Sequence, residues 1–405
     1  MRKKIAKIRS EPLLLLAIPI SLISLLMIFI LRPLIKVRVG FLHCDRLGHF
    51  APDIELYLCE REIKKFKHKT LDLFYFPREP CNHQLALMCR RKLNILSWFI
   101  LRPLDLIIRS FSFLSDYRAI TGRGAERDID NLLDQLPIHL DFTTEEEDCG
   151  RAALSKMGIK ENQPFVCLNV RDSAYLKHLY KGSDTSYHNY RNSDINNYIL
   201  ATKALVDRGY FVIRMGSLVN DALNFNHPNF IDYAANGLRS EFMDIYLGSK
   251  CDFCITTGTG WDSIPEMFRR PMVYINMLPI VHIHTFRTNM ISITKKHVLR
   301  ATQETLTLSE IFARSVGFCV HTSDYEIKGV DLIENTPEEI CDVVIEMAER
   351  LEGNWQAYPD DEALQQLFWE IFPTDAVNTN GVPLHGEIRS RFGADFLRNN
   401  KVWLS

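Results

Sequence analysis

Arginines and a glycine turn stand at the ends of short β-rich runs in the second half of this chain. Arg171 and Asp172 follow Phe165–Val170, and Arg214 and Gly216 end Phe211–Met215. Asp232 and Tyr233 end Phe230–Asp232, and Thr257-Gly258-Thr259-Gly260 follows Cys251–Thr256. A guanidinium fork grips phosphate oxygens through paired hydrogen bonds. A glycine turn lets a ligand approach the main chain, and unpaired amides at a helix N-terminus favour an anion. Asp262 and Ser263 are placed to cap such a helix, which carries Glu266, reaches Arg269 and is stopped by Pro271 before the run Met272–Asn276. Two arginines and this loop on one edge suit a diphosphate. Pairing of Arg171 with Asp172 or Glu266 is the plainer alternative.

The elements that position these residues alternate regularly. Helical patterns at Asp194–Arg208, Ser240–Ser249 and Ser263–Arg269 separate the strands. That alternation predicts a parallel sheet covered on both faces, with ligands at the carboxyl ends of its strands. A boundary falls near Asp141–Pro164, where Thr144 and Glu147 have capping-box spacing and Gly158 closes the helix. Before it, Lys36–Cys44 and Leu71–Phe76 read as strands, and Pro52–Arg61, Asn82–Leu93 and the apolar run Leu101–Leu114 as helical. The loop Asp45-Arg46-Leu47-Gly48-His49 follows the first strand, and Asp45 or His49 there is a candidate general base. The long segment Ser173–Asp194 carries Tyr175, Tyr180, Tyr187 and Tyr190 among Lys177, Lys181, His188 and Arg191. Its tyrosines argue against disorder and could stack on sugar faces while the bases meet anionic groups. A basic surface flap is the bland alternative.

Other chemistry finds less support. Asp128-Ile129-Asp130 is the only Asp-x-Asp and reads as a solvated helix start rather than a metal pair. His282 and His284 alternate without a carboxylate between them and read as loop structure. Cys251 and Cys254 form a lone CxxC, best taken as strand side chains, and ten scattered cysteines fit a reducing compartment. A net charge of -2 gives no nucleic-acid footprint. Gly258-x-Gly260 lacks the third glycine and the distal acid of a dinucleotide fingerprint, which argues against an oxidoreductase.

The N-terminus is the strongest hydropathy signal. Leu13–Leu31 has no charge; Arg2, Lys3, Lys4, Lys7 and Arg9 precede it, and Arg32, Lys36 and Arg38 follow. This reads as an uncleaved membrane helix, or one lying in the interface with both flanks cytoplasmic.

Val170-Arg171-Asp172 resembles the arginine motif that opens the nucleotide-sugar domain of GT-B glycosyltransferases, including fucosyltransferase-type enzymes, and Phe253–Asn276 resembles their donor loop and helix. Arg46–His49, Tyr187–Asn192 and Thr257–Asp262 are similar to segments in a family of glycosyltransferases encoded in bacterial surface-polysaccharide loci. The likeness spans most of Val37 to Leu351. It implies two Rossmann-like α/β domains with parallel sheets facing a cleft, after an N-terminal membrane anchor over 1–35. The acceptor domain would be 36–145 and the nucleotide-sugar domain 146–353, with a helical tail, 354–405, that could pack back on the acceptor domain. The implied enzyme is a metal-independent hexosyl- or fucosyltransferase, without a cofactor, anchored at the cytoplasmic face of the inner membrane through residues 13–31. Its donor site would hold Arg171, Asp172, Arg214, Gly216, Asp232, Tyr233, Thr257, Gly258, Thr259, Gly260, Asp262, Ser263 and Glu266. Its glycan or lipid-linked acceptor would meet Arg46, Gly48, Tyr187, His188 and Arg191, with Asp45 or His49 as the base. The rival readings are a nucleotide-sugar- or glycan-binding protein of the same fold without activity, and the oxidoreductase.

Overall fold

A computed structural model describes residues 18–63, 69–122, 127–180 and 182–405. Residues 13–17 of the expected anchor, the basic residues before it and Lys181 lie outside the described residues. The chain forms two compact units. The first ends at Glu126 and adds Leu136–Phe142; the second takes Arg127–Gln135 and Thr143–Ser405.

In the first unit, strands β1 (Lys36–Phe41), β2 (Thr70–Tyr75) and β3 (Asn94–Ile95) make a parallel sheet in that order. Gly40 allows a close crossing: a Cβ there would meet the Ala119 carbonyl oxygen at 2.2 Å, and Ala119 N–H donates to the Val39 carbonyl. The helix Ile18–Leu31 packs on Trp98–Ser110. Ile28 joins Val37, Val39, Leu101, Leu104, Ile108 and Tyr117 in this unit's core. Its other side chains Ile20, Leu22, Ile23, Leu26, Met27, Phe29 and Ile30 are exposed, as are Trp98, Phe111 and Phe113. Among the described residues no helix is long and apolar enough to cross a membrane. The expected anchor is therefore, over its described part, a helix with one stripe committed to a protein core.

The second unit is built on seven strands: β4 (Phe165–Asn169), β5 (Phe211–Arg214), β6 (Phe230–Asp232), β7 (Phe253–Thr256), β8 (Met272–Tyr274), β9 (Met290–Ser292) and, past a separate antiparallel pair β10 (Lys296–Leu299) and β11 (Val330–Ile333), β12 (Arg391–Phe392). The sheet order is β12-β9-β8-β7-β4-β5-β6, all parallel. β4 and β7 through β5 are buried throughout, as a sheet covered on both faces requires. The helix Thr144–Lys156 starts one residue earlier than its spacing predicts, with a capping box between Thr143 and Glu146 at its start.

The tail belongs to the second unit, where β12 extends the sheet beside β9. Phe368, Phe392 and Trp403 stack there, and helix Ala394–Asn399 packs on Pro337–Glu352. Apolar aromatic residues in the tail need a core, and the open edge at β9 supplies one.

Candidate functional site

In the seven-stranded sheet β4 is the first strand in sequence, and its two neighbours, β5 and β7, lie on either side. The chain order reverses there, which puts a crevice beyond the carboxyl ends of β4 and β7. Arg171 follows β4 and the glycine loop follows β7. They are stitched together: Arg171 N–H donates to Thr257 Oγ1 at 2.9 Å, and Asn169 Nδ2 to Thr259 Oγ1 at 2.5 Å.

The loop itself differs from the expected anion cradle. Its helix is only Ser263–Met267, with Pro265 inside it. Asp262 makes no capping bond to that helix; its carboxylate turns inward and accepts from Thr259 N–H (2.6 Å) and Thr256 Oγ1 (3.0 Å). Gly258 N–H donates to Thr256 Oγ1 and Trp261 N–H to Thr259 Oγ1. The loop's own oxygens thus consume the amides of Gly258, Thr259 and Trp261. Burial pushes Asp262 up to about 6, against the pull of His284. Ser263 Oγ donates to the Gly260 carbonyl.

The cationic part of the site is formed by residues from two loops. Arg191 ends the 3-10 turn Ser186–Arg191 and donates to the Gly258 carbonyl. A Cβ on Gly258, which has φ 74°, would lie 3.5 Å from that guanidinium. Arg171 lies close enough for Arg191 to repel it: burial first, and then the like charge of Arg191, lower Arg171 to about 10. The Nε of each is buried without a partner among the described residues. Asp172 does not pair with Arg171; it accepts from Ala174 N–H and Asn220 N–H, each at 2.8 Å. Glu266 does not either. Burial would raise it, but His284, with Arg287 and Arg127, holds it below its ordinary value, and His284 Nδ1 lies 3.2 Å from its carboxylate.

Four expected donor residues are tied into the fold. Arg214 is 1% exposed and donates to Asp232 (3.2 Å) and to the Asp221 carbonyl (3.0 Å). Asp232 also accepts from Leu223 N–H, so this pair pins the loop between β5 and β6. Tyr233 is fully buried, exchanging hydrogen bonds with Ser240 and Asp244 at the start of Glu241–Lys250. Gly216, at φ 154°, approaches Val219 too closely for a side chain. A strand-end position cannot say whether a side chain turns outward or back.

The tyrosine-rich segment is ordered against its own unit. The Tyr187 and His188 rings meet at 4.1 Å, tilted by 39°, Tyr190 lies 5.5 Å from Tyr325, and Thr322 Oγ1 donates to the Ser186 carbonyl. Its end is held by residues the sequence did not single out. Lys295 Nζ donates to the Asn192 carbonyl at 2.6 Å and to Glu334, while Ser193 joins Glu334 and Asn276. Asn276 and Asn335 exchange amide hydrogen bonds beneath it.

Asp128 stands at a helix start as expected, but it is buried rather than solvated and accepts from Leu132 N–H and Leu133 N–H, both 2.8 Å. Burial pushes it up to about 6. Cys251 and Cys254 are buried free thiols.

Asp45, Arg46, Gly48 and His49 belong to the first unit. Asp45 and Arg46 are exposed after β1, and Gly48 and His49 fall in the first turn of helix Leu47–Ile63. Burial lowers His49. Its ring lies 6.1 Å from His43, whose Nδ1 is 2.9 Å from the buried Asp53 carboxylate. That hydrogen bond raises His43. His43 lies two residues past β1, and its pairing with Asp53 on the following helix has no signal in the sequence.

No protein-family model matches the chain, and no curated protein matches it. Among solved structures, the chain is similar to the glycosyl transferase family 9 protein of Veillonella parvula DSM 2008, at 12% identity and TM-score 0.46 over 78% of this chain and 97% of that one. It is also similar to E. coli ADP-heptose lps heptosyltransferase II, at 13% identity and TM-score 0.33 over 59% of this chain and 84% of that one.

Proposed function

We propose that this protein is a glycosyltransferase of GT-B type that moves a sugar from a nucleotide-sugar donor to a glycan or lipid-linked acceptor in surface-polysaccharide synthesis. One observation carries the reading: Arg171 and Arg191 stand at the sheet's switch point, close enough to repel, with no ion pair to a carboxylate among the described residues. Two enclosed like charges are costly unless an anion joins them. A diphosphate supplies it, and the demand grows as the leaving group gains charge, so the same arginines would assist transfer without a metal. Arg191 moves from the acceptor side to the donor side in this reading, and the loop contributes shape rather than free amides. Tyr187 and His188 remain candidates for the acceptor sugar.

For the acceptor proton, His43 with Asp53 is a better-furnished base than Asp45, and His49 is kept neutral beside it. The exposed apolar residues of Ile18–Leu31, with Trp98, Phe111 and Phe113, fit a helix lying in the membrane interface at the cytoplasmic face.

The test is calorimetric titration with GDP-, UDP-, ADP- and CMP-linked sugars, followed by nucleotide release with acceptor extracts. Binding of a nucleotide sugar with slow release of its diphosphate supports transfer. Binding without release favours the inactive relative, and no binding by any of them sinks the proposal.

A further inference from the structure

The first unit holds a cluster that sugar transfer does not use. Glu55 and Cys59 stand four residues apart on helix Leu47–Ile63, hence on one face, and both are fully buried. The returning segment Leu136–Phe142 brings His139 against them. His139 Nδ1 lies 3.0 Å from Glu55 Oε1 and 3.8 Å from Cys59 Sγ. Cys59 Sγ lies 3.9 Å from the same Glu55 oxygen.

One carboxylate oxygen, one imidazole nitrogen and one sulfur therefore make a closed triangle. A tetrahedral zinc ion with ordinary bond lengths holds such atoms about 3.4–3.6 Å apart. Each edge of the triangle needs to move by less than about half an ångström to fit. On the far side of the ring, Nε2 is 2.8 Å from Glu62 Oε2. Metal-binding imidazoles usually keep such an outer carboxylate, which fixes the ring and its tautomer. A His–Glu ion pair alone would account for Glu55 and Glu62. Cys59 adds a soft sulfur ligand at the third corner.

We propose that Glu55, Cys59 and His139 bind a zinc ion, with Glu62 orienting the imidazole and the fourth position left to water or an exchangeable ligand. The ion would tie 136–142 to the helix, and the proposal stands apart from the donor reading.

The full chain, purified without metal-affinity resin, is assayed for metal by mass spectrometry and titrated with Co²⁺. One zinc per chain is expected, and cobalt should give thiolate charge-transfer absorption in the near ultraviolet. Cys59→Ser should abolish that absorption, and Glu62→Gln should weaken zinc binding about 10–100-fold while leaving the circular dichroism unchanged. A chain that takes up neither metal, or a Cys59→Ser variant with an unaltered cobalt spectrum, overturns the site and leaves an ion pair. If Cys59→Ser fails to fold, the cobalt spectrum of the unaltered chain and the Glu62→Gln affinity decide. Neither readout depends on nucleotide binding.

Discussion

Arg127 and Arg287, in one corner of the second unit, and Arg171 and Arg191, at its switch point, are all enclosed guanidiniums furnished in opposite ways. Arg127 donates to the carbonyls of Leu384, His282 and Ile283. Arg287 donates to Asp134 and to the Glu266 and Arg270 carbonyls. At the switch point Arg191 donates to one carbonyl, the Nε of both Arg171 and Arg191 is buried without a partner among the described residues, and the two repel each other. The contrast teaches how to read a buried cation: one whose fork is spent on the main chain is part of the fold, whereas one left with donors in hand is matched to something else.

The sharpest way to break this contrast is Arg127→Ala. It strands three carbonyls, and a loss of about 3–5 kcal/mol is expected in chemical denaturation. Nucleotide affinity should be normal in whatever remains folded. A small loss of stability with lost binding would reverse the assignment. Next is Arg171→Ala, where nucleotide affinity should fall about 10–100-fold, from charge-assisted bonds of roughly 1.5–3 kcal/mol. The melting temperature of the empty protein should hold or rise, since a repulsion is relieved. Calorimetry beside a thermal melt checks both. Arg171→Lys should recover only part of the affinity, because an ammonium cannot reproduce the fork.

A smaller effect concerns Asp262. Its ordinary value is 3.8 and its folded value about 6, so between these the folded chain keeps a proton that the unfolded chain has released. Its contribution to stability is therefore complete below pH 3.8 and lost as pH rises through 6. Relative to Asp262→Asn, the unaltered chain should lose on the order of 1–3 kcal/mol across that window. Denaturation midpoints at several pH values measure it, and a flat difference would mean that the loop holds a carboxylate at no cost.

Much of the second unit was legible because its strands are short apolar runs ended by polar residues; Phe230–Asp232 matches to the residue, and the run Cys251–Thr256 begins two residues before its strand. β9 and β12, at three and two residues, carry no period to detect. Within the site, the adjacency of Arg171 to the glycine loop followed from strand order alone. The place of Arg191 did not, since its bond to Gly258 spans 67 residues and comes from an aperiodic loop. That Arg214 and Asp232 pair with each other was not legible either, because strand ends mark an edge without fixing a rotamer. The pairing of Tyr187 and His188 was visible as aromatic density, but not what that density packs on.

The last strand has a consequence for how the protein is made. β9 is complete at Ser292, yet its outer neighbour, β12, lies about a hundred residues further along. At an elongation rate of roughly 5–20 residues per second, the nascent chain carries an open parallel edge for some 5–20 seconds after β9 has emerged. Edges of that kind recruit other strands. Ribosomes stacked on one message would bring several such edges close together. A messenger that stalls between the codons for Ser292 and Arg391 should therefore yield aggregates, whereas one that stalls after Trp403 should not.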